Sequence, residues 1–188
     1  MFRLFRTVAA AVLVLSASAA PVWAAQKRMV TYDSASPTAK KLTGAGLTFV
    51  FTKSWMRTRI LAVRATAVPV GVIPHLSTDG AVNRKLDTLM GDDGGKGTVY
   101  AIDPKAAEGK VMVQAFCPGS SRGWLAIGTI AHMRDLRVHA FGDDPTTGEP
   151  RLCAVMDFSF RGEWRMPGPA GVGVTDRVFK PSFGRPGS

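Results

Sequence analysis

Three residues could together transfer an acyl group. Ser121 offers a hydroxyl nucleophile, His139 an imidazole to take its proton, and Asp135 a carboxylate to orient the ring. Ser121 lies within Gly119-Ser120-Ser121-Arg122-Gly123, which matches the Gly-x-Ser-x-Gly elbow, and the chain order Ser, Asp, His is the one used by the fold built on that elbow. The elbow requires a strand before the serine and a helix after it. Lys110 to Phe116 reads as a strand, but Trp124 to Ile130 carries Gly128 and also reads as a strand. Turn serines and a strand histidine account for the same residues, so hydrolysis stands as an alternative to a non-catalytic protein.

Other chemistries find less material. His132 and His139 are seven apart, which is not the i,i+4 spacing of a helical zinc pair, and no acidic run follows the calcium-loop order. Asp92-Asp93-Gly94-Gly95 and Asp143-Asp144-Pro145 read as turns, where Asp and Gly stabilise tight bends. Gly91 to Thr98 holds Lys96 but lacks the order of a phosphate loop and follows a helix instead of preceding one. No metal and no cofactor are expected.

A binding role has a clearer basis. Arg122, Arg134 and Arg137 cluster in sequence around Trp124, and Arg161 and Arg165 repeat the combination around Trp164. Guanidinium groups form paired hydrogen bonds with carboxylates and phosphates, while an indole stacks on a sugar or an apolar group. The chain carries a formal net charge of +10. Positive charge of this size favours anionic partners.

The compartment narrows the choice of partner. Arg3 and Arg6 precede an uncharged run from Val8 to Leu15, and Val22-Trp23-Ala24 places small residues three and one positions before a cut. This pattern predicts a secretory leader over residues 1–24, cleaved after Ala24, with no membrane span left afterwards. A periplasmic or secreted product meets envelope polymer, lipid head groups or acidic proteins more readily than nucleic acid. In such a compartment Cys117 and Cys153, the two cysteines of the chain, are expected to pair as a structural staple.

The elements that must hold these residues follow from periodicity. Residues 25–46 read as a polar approach segment with one short helix, Pro37 to Thr43, capped by Ser36 and ended by Gly44. Alternation over Leu47 to Thr52 and a β-tolerant run over Arg57 to Thr66 predict two strands, and Pro69 and Pro74 bracket an edge extension over Val70 to Ile73. Val82, Leu86, Leu89 and Met90 recur at helical spacing, predicting a principal helix over Gly80 to Met90.

Five further strands are expected: Thr98 to Asp103, Lys110 to Phe116, Trp124 to Ile130, Asp135 to Phe141 and Arg151 to Arg161. Short turn-forming breaks between them make antiparallel hairpins the simplest arrangement. The sum is a single domain over 47–166, mainly β, an antiparallel sandwich or barrel with one principal helix. A barrel interior rich in Phe49, Phe51, Phe158 and Phe160 leaves a small apolar-ligand carrier as a further alternative. Residues 167–188, dominated by Gly and Pro, are expected to form a flexible tail.

Overall fold

The computed structural model describes residues 26–53, 58–67 and 71–166. The expected leader and tail lie outside the described residues. Nine strands form one antiparallel sheet in the order β4-β3-β2-β1-β9-β8-β7-β6-β5. They are β1 (Gln26–Ser34), β2 (Gly46–Lys53), β3 (Thr58–Ala65), β4 (Gly71–Val72), β5 (Pro74–Leu76), β6 (Thr98–Ile102), β7 (Gly123–Ile127), β8 (Leu136–Asp143) and β9 (Pro150–Arg165). Three helices accompany them: α1 (Pro37–Thr43), α2 (Gly80–Met90) and α3 (Ala107–Phe116).

β4 and β5 sit at opposite edges of this order, yet only Ile73 separates them in the chain. The segment Gly71–Leu76 therefore joins the two edges. Its first two residues pair with Val63 and Arg64 of β3, and its last three pair with β6. Proline at position 74 has no N–H to give to a ladder, and the strand changes partners there. The result is a nearly closed barrel.

Strand directions sort the connections between two ends. The upper end carries α1, α3 and the β8–β9 hairpin. The lower end carries the loop 128–135, the start of β1, the end of β2, the start of β3 and the end of β9.

Inward residues follow the expected alternation most clearly along β9, where Ala154, Met156 and Phe158 are buried and Phe160 packs against the same cluster. Tyr32, Phe49, Leu125, Ile127 and Val138 fill the interior beside them. Each such large apolar side chain, once buried, contributes about 2 kcal/mol relative to exposure. Helix α3 sends Met112, Val113 and Phe116 into the upper end, and α1 adds Ala39. The interior is thus occupied by side chains. Helix α2 lies outside the wall, where Leu86 and Met90 cover Val99, Trp124, Ala126 and Phe141.

Two expectations change here. Lys110 to Phe116 is the body of α3, not a strand, because Gly109, Met112, Val113 and Phe116 fall at helical spacing and are the positions buried. Glycine is needed at 109, since a Cβ there would run into the Asp103 carbonyl. The polar approach segment also contains β1, which lies between β2 and β9 and is paired along both edges. The expected helices over 37–43 and 80–90 form as read, with Ser36 Oγ accepting from Ala39 N and Asp79 Oδ1 accepting from Ala81 N and Val82 N.

Candidate functional site

Ser121, Asp135 and His139 each have a different partner. Ser121 donates through N and Oγ to Asp143, at 2.7 and 2.5 Å. Asp135 Oδ1 accepts from Phe160 N, and His139 Nε2 lies 3.5 Å from Asp93 Oδ2. Pairing places His139 opposite Ala126, five residues along from Ser121, or roughly 17 Å of strand. Helix α3 precedes the Gly-x-Ser-x-Gly segment and β7 follows it, the reverse of the elbow's order.

The cysteines and Ser121 belong to one knot at the upper end, in which Cys117, Ser120 and Asp143 are buried. Cys117, just past α3, is bonded to Cys153 of β9. The Asp143 carboxylate also accepts from Arg122 N and Arg122 Nε, and Ser120 Oγ donates to the Asp143 carbonyl. Burial pushes the Asp143 carboxyl up, but the donors of Ser121 and Arg122 outweigh it and hold the group at about 2. Gly142 is required beside them, because a Cβ there would meet Ser120 and Cys117.

A second polar cluster ties α2 to the wall. Arg137 donates to Asp157 at 2.6 Å and to Asp93 at 2.9 Å, and His139 stacks on Phe141 beneath the same helix end. Burial holds the His139 imidazole below its ordinary range, against the pull of Asp93 toward the charged form. Its neutral form is thus favoured by folding. As pH falls from about 6.5, the unfolded chain takes up this proton first and the contribution is lost. Asp93 stays ionised in that window because Arg137 holds its carboxyl low. The protection of the α2 amides near Met90, their exchange rate divided into the intrinsic rate at each pH, is expected to fall between pH 7.5 and about 5.5; protection that stays constant across this window would refute this.

Of the four residues expected to bind ligand, Arg122 and Trp124 meet, with the guanidinium 5.5 Å from the ring centroid. Trp124 is nearly buried under α2, and Arg122 also donates to the Gly148 carbonyl. Arg137 is engaged by two carboxylates, while Arg134 is exposed in the loop at the opposite end from Arg122. The four do not form one site.

The lower mouth of the barrel gathers a different set. Val30 and Phe51 are core residues, so alternation turns Arg28 and Lys53, two residues nearer the mouth, to the same inward side. Glu163 pairs with Val30 and Arg165 with Arg28, which brings both to that side. His132 reaches over from the loop, with its ring 5.1 Å from Phe160. These residues and Trp164 line an open groove of about 290 Å³. Arg28 donates to Glu163 at 2.9 Å, while its Nε is buried without a hydrogen-bond partner. Trp164 is 46% exposed, its ring seated over Gly162, where a Cβ would stand 2.8 Å away.

Beneath the loop, the Tyr32 hydroxyl lies beside the Ala131 backbone without hydrogen-bond geometry, and burial pushes it up to about 12. It remains a neutral floor to the mouth. Trp164 and Arg165 were legible as a pair in the sequence; Arg28 and Lys53 were not. The signal for Arg28 was Val30 and Tyr32 alternating behind it. Among the described residues no helix is long and apolar enough to cross a membrane, and no group of three or more His, Cys, Asp or Glu is placed to hold a metal. No family model matches the chain, and no curated protein or solved structure is significantly similar to it.

Proposed function

We propose that this protein is an exported, non-catalytic module that binds an anionic partner at the lower mouth of its barrel. The observation that carries the reading is the convergence of Arg28, Lys53 and Arg165 on a groove holding one carboxylate, Glu163, which Arg28 already engages. An open groove with surplus cationic donors lowers the energy of a ligand that brings carboxylate or phosphate. Export is supported by the leader pattern of residues 1–24 and by the disulfide, since such bonds persist in oxidising compartments. Hydrolysis loses support from the separate partners of Ser121, Asp135 and His139, and the apolar carrier from an interior filled with side chains.

Retention on an immobilised polyanion such as heparin tests this. The protein is expected to bind at low ionic strength and elute as salt shortens the screening length. Changing Lys53→Gln and Arg165→Gln together is expected to weaken binding about tenfold, from about 0.7 kcal/mol per exposed charge. Failure of the unaltered protein to be retained in dilute buffer would remove the proposal.

A further inference from the structure

We infer that the anionic partner is a lipid bilayer, on which the lower mouth lies with Met133 and Trp164 entering the head-group layer. This inference rests on the anion-binding reading above and names the surface that supplies the charge. Two side chains argue for lipid over a soluble polyanion. Met133, at the loop between β7 and β8, is 76% exposed, and Trp164 at the end of β9 is 46% exposed. Both stand at the end of the barrel that carries the cationic groove. Met133 offers a dissolved polyanion neither charge nor a hydrogen-bond donor, so it is the side chain that separates the two surfaces. At a bilayer surface an indole sits at the head-group level and a thioether is drawn toward the acyl boundary.

The backbone supports the same assignment. Met133 has φ of 57°, the one non-glycine residue with positive φ among those described. Holding a side chain other than Gly, Asn or Asp in this conformation costs about 1 kcal/mol, and nothing in the core takes up the methionine in return. The strain is spent on presenting an apolar group to the outside.

Charge surrounds these two groups. Lys27, Arg28, Lys53, Arg59, Arg134 and Arg165 all lie within the lower strand ends or the lower loop. The carboxylate of Glu163 is engaged by Arg28, and Asp135 accepts from the Phe160 amide. Basic residues near an anionic leaflet contribute about 1 kcal/mol each, so several of them together with two inserted apolar side chains supply stable, reversible attachment. The sequence repeats the same combination at this end: an aromatic residue, Met and Arg occur in His132-Met133-Arg134 and in Trp164-Arg165-Met166.

The test uses the exported protein and vesicles of phosphatidylcholine with or without about one third phosphatidylglycerol, read by co-sedimentation beside the heparin column. Anionic vesicles are expected to bind at least about tenfold more tightly than neutral ones. The pair Met133→Ser and Trp164→Ser is expected to lower vesicle affinity about tenfold, and Met133→Ser alone, which lies outside the groove lining, is expected to lower it about threefold while leaving elution from heparin unchanged. Lys53→Gln with Arg165→Gln weakens both. Both pairs change exposed side chains, and an unaltered melting temperature certifies their folds. Retention on heparin with no vesicle binding, or a serine pair that binds vesicles as well as the original, overturns the bilayer assignment and leaves anion binding standing. Loss of both removes both.

Discussion

Replacing Cys117 and Cys153 together with alanine is expected to lower the stability of the protein by about 4 kcal/mol, the chain-entropy value for a loop of this size. The bond spans a sequence separation of 36 residues and joins the end of α3 to β9. Helix α3 contributes Met112, Val113 and Phe116 to the interior, so the bridge also fixes the part of the chain that fills the upper opening. The measurement is the melting temperature, expected to fall by about 12 °C for a domain of this length. Treatment of the unaltered protein with reductant should reproduce the shift, because removing the bond is common to both. A melting temperature within 2–3 °C of the original in the double variant, as expected for a loss below about 1 kcal/mol, would falsify the structural role.

Changing Asp143→Ala is expected to cost about 3 kcal/mol, since it strips acceptors from several donors at once. Ser121 N, Ser121 Oγ, Arg122 N and Arg122 Nε all point to this one carboxylate. The effect has a pH signature. The folded carboxyl is held at about 2, below its ordinary value of 3.8, so the stabilisation is complete above that value and disappears as pH falls toward 2. Denaturant melts at pH 6 and pH 2 should therefore show a large gap between the original and the variant at the higher pH and convergence at the lower. An equal gap at both would mean that charge is not what the donors hold.

Much of the framework was legible because local chemistry and tertiary packing agree. Ser36-Pro37 and Gly44 bound α1 by capping rules alone, and the alternation of Ala154, Met156 and Phe158 fixes which face of β9 is inside. Two segments were misleading for identifiable reasons. Val111 and Val113 gave Lys110–Phe116 a strand-like composition, while the spacing of Gly109, Met112, Val113 and Phe116 carried the helical period that decided the outcome. In β1 only Val30 and Tyr32 show an apolar inward face, and the charges of Lys27, Arg28 and Asp33 hide them.

The candidate mouth was out of reach for the same reason. Arg28 and Lys53 approach Glu163 and Arg165 only through a ladder that includes β1. The cluster read around Trp124 failed in the opposite sense, since proximity in sequence does not survive a strand's length: Arg122 ends at the top of the barrel and Arg134 at the bottom.

Met166 donates its amide to the Lys27 carbonyl, which puts these two residues side by side on the rim that holds Arg28 and Trp164. A fluorophore or sensor-chip tether attached at Lys27 or Met166 would stand beside the cationic groove and obstruct it. The Asp144–Glu149 turn projects from the far end, stabilised by its own Asp144 contacts with Thr146 and Thr147. Anchoring the molecule through that turn orients the groove away from the support, and makes it the sensible handle for any assay of what the protein touches.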